Sequence, residues 1–345
     1  MTVQCCVNAT ITGVISVIFL FCCIPVFSQQ SIQFTPTSYS HVFSAQPAPV
    51  LRIKEGDTVH TTSVDAGGLD QSGQRVTGRG NPLTGPFYVE GAEPGDILAV
   101  TLTNLSLNRN FATTLNSLVP NMLPLPKSKA MKIWKSARQL QWRLDLDKMV
   151  GTPMDTSLHF EKFSVPLHPF LGCVGVAPAG KQMATGASGD YGGNMDFRYV
   201  TTGATIYLPV SHIGALLYLG DGHAAQGDGE LNGDALETSM NFSFTVRTLK
   251  KAEFPLETPM VENADYLMFF AVKSSLNRSV KAVTVALSNW LQIRYKLSAK
   301  QASQVIGPAI QYRIPKIAAN VSEAVALIPK SLLKQLEDLL KLEKK

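Results

Sequence analysis

Residues 186–234 constrain the chain most. Two short apolar runs, 205–210 (TIYLPV) and 214–220 (GALLYLG), lie between two clusters dense in glycine, acid and imidazole. The length of the runs, their β-branched and aromatic content and their glycine and proline boundaries predict buried strands. The clusters, 189–196 (GDYGGNMD) and 220–230 (GDGHAAQGDGE), then read as polar loops presented by those strands. Glycine lets backbone approach a ligand closely. Aspartate, glutamate and histidine bind divalent metals and serve as acids and bases. A single DG or GDG is an ordinary hairpin tip. Asp221, His223, Asp228 and Glu230, however, share one short stretch of a chain with only 17% charged residues, and that density favours a site.

The rest of the chain reads as mainly β. The 238–250 run (TSMNFSFTVRTLK) alternates strictly, with Met240, Phe242, Phe244 and Val246 on one face and Asn241, Ser243, Thr245 and Arg247 on the other. Two stretches, VLRIKEGDTVHTTSV and AEPGDILAVTLTNL, each place an acidic Gly-Asp turn before an alternating run, and they read as like hairpins. The expected core is an antiparallel β-sandwich or barrel-like body. Residues 71–86 are Gly- and Pro-rich and read as a long loop, whereas 106–165 mixes helical and alternating patterns. Toward the C-terminus, Val280, Val283, Leu287, Leu291 and Tyr295 follow helical spacing, and Ser298 with Gln301 forms a capping-box signature. Residues 331–345 predict a leucine-rich amphipathic helix that packs on the domain or across a homo-oligomer interface. The class is therefore α+β, β-rich over 39–250 and helix-containing over 251–345.

With 345 residues the chain is long enough for a sizeable core. Its formal charge of +5 is not gathered into an aromatic-interleaved patch, so no nucleic-acid partner is expected. Residues 1–28 hold no charged side chain and carry the apolar run 14–27, with Ser28 before Gln29. They read as a signal peptide, with 29–345 as the mature domain, secreted or periplasmic and without stable membrane insertion after cleavage. An uncleaved anchor is the alternative. Of five cysteines only Cys173 lies outside that segment, and in the run LGCVGVAP it reads as a buried structural thiol.

Several long motifs resemble the acetamidase/formamidase family. They are LPVSHIGALLYLGDGHAAQGDGE at 208–230, GDYGGNMD at 189–196, LHPFLGCVGVAP at 167–178 and GPFYVEGAEPGDILAV at 85–100. His41, the run APVLRIKEGDTV and Asp65 are similar to the family's opening, and NWLQIRYKLS at 289–298 to its C-terminal segment, with Lys296 where glycine is usual. Residues 106–165 match least. The resemblance implies hydrolysis of a short linear amide to carboxylate and ammonia. Motif position and chemical type then suggest a divalent metal, zinc or calcium, held by Asp65, Asp196 and His223 with His41. On the same basis Glu230 is the expected general base and Glu90 a second proton-handling carboxylate. Gly192, Gly193, Asn194, His168 and Asp221 would position the substrate. The alternatives are a secreted, non-catalytic metal-binding module and a diverged metal hydrolase acting on another amide or ester.

Overall fold

The alternation of the 238–250 run is realised as strand Met240–Leu249, in which Met240, Phe242, Phe244 and Val246 are buried. Ser243 is buried as well, because its hydroxyl meets His60 Nδ1 at 2.7 Å. The computed structural model describes residues 29–160, 162–317 and 321–342; the expected signal segment 1–28 lies outside them. Strand Met240–Leu249 pairs with Thr58–Thr62 on one side and Ile97–Leu107 on the other, within a nine-stranded sheet. A second, eleven-stranded sheet carries Phe170–Val176, Gly192–Asn194 and Leu217–His223. The two sheets face each other across the main core. Phe87 of the second meets Phe244 of the first edge-on, with ring centroids 5.2 Å apart. Each such fully buried side chain contributes about 1.5–3 kcal/mol. Both sheets are open, so the core is a sandwich and not a closed barrel.

Helices cover the outer face of the nine-stranded sheet. Helix Leu276–Tyr295 buries Val283, Leu287, Leu291 and Tyr295, with Trp290 against Phe269. Helix Ala299–Ala309 begins at the expected capping box on Ser298. Helix Lys330–Leu342 packs Leu333, Leu336 and Leu340 onto the same core. Among the described residues no helix is long and apolar enough to cross a membrane.

The structure corrects three expectations. Strand Leu51–Ile53 pairs in parallel with Leu83–Val89 of one sheet, while Thr58–Thr62 joins the other, so the intervening turn crosses between sheets and forms no hairpin. In the second supposed hairpin, the turn at 93–96 leads into Ile97–Leu107, whose partners Met240–Leu249 and Thr205–Pro209 are distant in sequence. The GDG at 220–222 lies within strand Leu217–His223 and is no loop tip. Part of the unread segment 106–165 extends the second sheet through Phe111–Leu115, Gln139–Asp145 and Val150–Pro153, with helix Lys127–Lys135 between.

Candidate metal centre and active site

Asp221 and His223 sit two residues apart on one strand, with Asp221 in left-handed backbone at φ 61°, and their side chains come together. The neighbouring antiparallel strand, Phe170–Val176, pairs Phe170 with His223 and Leu171 with Gly222. Its Gly172 leaves a hollow. A Cβ there would fall 2.7 Å from Asp221 Oδ2 and His223 Cε1 and 2.8 Å from Asp196 Oδ1. Asp196 follows strand Gly192–Asn194 and is fixed by its own backbone N–H, which donates to Gly172 O at 3.1 Å. One ligand atom from each of Asp196, Asp221 and His223 lies within 4.8 Å of the other two. Asp196 Oδ1, Asp221 Oδ1 and His223 Nδ1 are buried without a hydrogen-bond partner. Buried polar atoms are rarely left so; Asp196 Oδ1, at the hollow, and the unpartnered atoms of Asp221 and His223, whose side chains also border it, fit a cation.

A shell of polar groups fixes these side chains. Asn194 donates through Nδ2 to Asp196 Oδ2 at 2.5 Å and accepts from the Cys173 thiol at 2.7 Å. Asn81, from the 71–86 loop, donates to Asn194 Oδ1 at 3.0 Å and to Asp221 Oδ2 at 2.9 Å. Lys316 donates to Asp196 Oδ2 and to Asn194 O, and its ammonium lies 3.8 Å from Glu323 Oε1. The Ser188 hydroxyl donates to the same Glu323 oxygen at 2.5 Å. His223 Nε2 lies 3.3 Å from Glu237 Oε2.

Negative charge dominates this interior. Among the described residues, Asp196, Asp221, Glu230, Glu237 and Glu323 are buried with Lys316 and His223 as the nearby bases, while the buried Arg109, which reaches Glu237 O, is paired with Asp65. Burial raises the Glu237 carboxyl to about 8 despite His223 beside it, and raises Glu323 to about 8 despite Lys316. Burial, reinforced by Asp196, holds Glu230 well above the usual carboxylate range. Burial opposes protonation of His223, but Glu237 and Asp221 outweigh it and raise its pKa. Burial also pushes the Cys173 thiol up, helped by Asp221 and Asp196, so it is no ready nucleophile.

Glu230, in left-handed backbone with φ 47°, lines a pocket of about 360 Å³. Trp142, His168, Arg198, Gln226 and Leu231 also line that pocket. A larger groove of about 720 Å³ along helix Leu276–Tyr295 is lined by none of these groups.

The expected site residues divide accordingly. Asp196, His223, Asp221 and Asn194 come together, Glu230 stands in their electrostatic reach, and His168 lines the pocket. Asp65 lies instead on Arg109, 2.6 Å from Nη2, and accepts the Leu69 N–H. His41 is exposed and bonded to Thr77. Glu90 is exposed beside Arg52 at 3.7 Å. Gly192 and Gly193 serve close strand approach, since a Cβ on them would come within 2.4 Å of Val174 O and Ala187 O respectively. Sequence reading missed Lys316, Asn81, Gly172, Glu237 and Glu323. Gly172 lies inside the run LHPFLGCVGVAP and Asn81 inside the Gly- and Pro-rich loop 71–86; the other three lie in no stretch that the sequence marks as a site.

The family model for acetamidase/formamidase matches residues 179–306, which include Asn194, Asp196, Asp221, His223 and Glu230. A Schizosaccharomyces pombe protein bearing a formamidase name is 24% identical over 262 residues, 60% of this chain; the match spans 64% of that relative's length. A recombinant predicted acetamidase/formamidase from Thermoanaerobacter tengcongensis shares the fold, with TM-score 0.77 at 24% identity over 90% of this chain and 99% of the other. An acetamidase from Bacillus halodurans superposes with TM-score 0.75 at 25% identity, over 88% of this chain and 99% of the other. By its matched segment, its motifs and its fold, the chain is similar to the acetamidase/formamidase family.

Proposed function

We propose that the protein hydrolyses short-chain primary amides of the formamide and acetamide type, using a divalent metal held by Asp196, Asp221 and His223. The observation that carries this reading is that Asp196, Asp221 and His223, each with a buried unpartnered ligand atom, border the Gly172 hollow with ligand atoms within 4.8 Å of one another. One imidazole and two carboxylates form a mixed donor set that suits zinc better than calcium, which prefers six to eight oxygens. Bound there, the metal supplies Lewis acidity and lowers the pKa of a water toward about 7.

The chain's own groups supply the rest. Glu230, on the pocket wall, takes a proton from the attacking water and returns it to the departing ammonia. A carboxyl held above its ordinary value by burial is suited to both transfers. Asn194 and Lys316 hold Asp196 from one side, leaving Asp196 Oδ1 turned to the hollow. Gln226 ties the pocket wall to the site, donating to Asp196 O at 2.8 Å. Glu90, on the surface with Arg52, has no part in this scheme.

Export through residues 1–28 belongs to the same proposal, and sequencing the N-terminus of the mature protein tests it: a start at Gln29 supports cleavage, a start at Met1 refutes it. The activity is tested by ammonia release from formamide, acetamide and propionamide after chelation and after zinc or calcium add-back. Release that disappears on chelation and returns with one metal supports the reading. Full turnover in metal-stripped protein overturns the metal role.

A further inference from the structure

The groove of about 720 Å³ along helix Leu276–Tyr295 shares no lining residue with the pocket at Glu230. Its volume falls among cavities that take drug-sized ligands. Leu256, Phe269 and Trp290 are its buried lining, with the Phe269 and Trp290 rings 5.4 Å apart. The helix adds Ala282, Val285, Ala286, Asn289 and Ile293, whose spacing sets them on one face. Val285 is 48% exposed and Ile293 60%. The groove is thus apolar below and along its wall, and open to water.

Charge is distributed unevenly along it. Lys273 ends strand Tyr266–Lys273, and Arg278 and Lys281 lie in the first two turns of the helix, so three cations gather at one end. The Lys273 N–H donates to the Ser279 hydroxyl at 3.0 Å, which ties the strand end to the helix start. Arg278 donates to the Ser274 hydroxyl at 3.0 Å. The Lys273 and Lys281 ammonium groups have no hydrogen bond or ion pair among the described residues. Glu257 is the only acid among the described lining residues, and it already meets Lys251 at 3.9 Å. Toward the other end the helix lines the groove with Gln292 and Ile293, which carry no charge. From Arg278 to Ile293 the helix rises about 22 Å.

We propose that this groove binds a single-chain fatty acid, with its carboxylate among Lys273, Arg278 and Lys281 and its hydrocarbon chain along Val285, Ala286 and Ile293. Cations gathered at one end match one anionic head, and the uncharged apolar run beyond them matches a tail that gains by leaving water. A second copy of the chain, docked by two-fold symmetry, would bring these three cations against their own copies. An acidic amphipathic helix would need cations spaced along the groove, where only the paired Lys251 remains. A flat bilayer surface would leave the buried lining unfilled. The site stands apart from the amide-hydrolase reading and does not depend on it.

Calorimetry on the full chain, below the critical micelle concentration of each ligand, tests this. Dodecanoate should bind one to one and roughly tenfold more tightly than dodecanol, the scale of one hydrogen bond to a charged group. Decanoate and octanoate should bind progressively more weakly, by up to about fourfold for each methylene lost. The double variant Lys273→Gln, Lys281→Gln should erase the advantage of acid over alcohol and keep the chain-length series. Ala286→Leu, which fills the groove, should weaken both ligands severalfold with unchanged circular dichroism. Equal binding of dodecanoate by wild type and both variants overturns the proposal, as does equal binding of acid and alcohol by wild type or a flat chain-length series. Absence of dodecanoate binding also overturns it, and two further measurements then say what covers the groove. Cosedimentation with phosphatidylglycerol vesicles that Ile293→Asp abolishes would assign a membrane surface, and a dimer that Ile293→Asp dissociates would assign a second copy.

Discussion

Gly172 carries more of the candidate site than its lack of a side chain suggests. It has no unusual backbone demand, and its role is spatial: the missing Cβ is what separates Asp196, Asp221 and His223 into a hollow. Gly172→Ala should therefore lower metal content by tenfold or more, on the order of the cost of disturbing a metal's supporting residues. The circular dichroism of the folded sheet should be retained. Metal analysis of the purified variant checks this, and full metal content would remove Gly172 from the site. The same scale shows what was legible in the sequence. Asp196, Asp221, His223 and Glu230 stood out because local glycine-acid density marks a site. Lys316 did not, because it reaches Asp196 across 120 residues of chain and has no motif around it. Asn81 and Glu237 are equally ordinary until the 71–86 loop and strand Glu237–Thr238 deliver them. Asp65 misled for the converse reason. An acid in a family-like opening suggests a ligand, but Arg109, 44 residues away, claims it.

At the scale of elements, periodicity read well wherever one face was wet. Strand Met240–Leu249 and helix Leu276–Tyr295 both lie where their patterns placed them, because a half-buried surface imposes a strict period. Strand Leu217–His223 did not, since it is buried on both faces and leaves no alternation to read. Its Gly220 and Gly222 mimic a turn, yet each serves packing: a Cβ on Gly222 would lie 2.7 Å from Thr238 O. One element carries a correctable strain. Helix Leu276–Tyr295 ends on Lys296 in the left-handed region, φ 53°, with no glycine there to relieve it. A left-handed non-glycine residue costs about 1–2 kcal/mol. Glycine would return roughly 0.5–1 kcal/mol of that as added freedom of the unfolded chain. Lys296→Gly should thus raise unfolding free energy by up to about 1 kcal/mol, read from urea titrations. A destabilised variant would mean that Lys296 makes compensating contacts.

For the whole molecule the governing fact is a buried excess of acid. The metal-free chain must hold protons on carboxyls that would lose them in the unfolded state. Glu323, raised to about 8 by burial against the pull of Lys316, is the clearest case away from the metal ligands. A group whose folded pKa lies above its unfolded value stabilises fully below the unfolded pKa of about 4.3 and loses that contribution as pH rises through 8. Metal-free protein should therefore weaken between pH 5 and 8. Glu323→Gln should flatten that fall by up to about 1.4 kcal/mol per pH unit, as read by urea unfolding at each pH. An unaltered slope would show that Glu323 ionises normally in the folded chain.

A divalent cation acts on the same excess from the other direction. Held as proposed, it would bind the folded arrangement of Asp196, Asp221 and His223, which are brought together from two separate chain segments and are dispersed on unfolding. Binding to the folded state alone stabilises by about 2.7 kcal/mol when free metal stands a hundredfold above its Kd. For a chain of this size that is a rise of several degrees in Tm. Zinc should produce it at lower concentration than calcium, given the imidazole in the donor set. Gly172→Ala should lose the rise, because its methyl group occupies the hollow while leaving all three ligands in the chain. Equal stabilisation of wild type and Gly172→Ala would place the metal elsewhere. A rise with calcium but not zinc would point to an oxygen-only site and remove His223 from the ligand set.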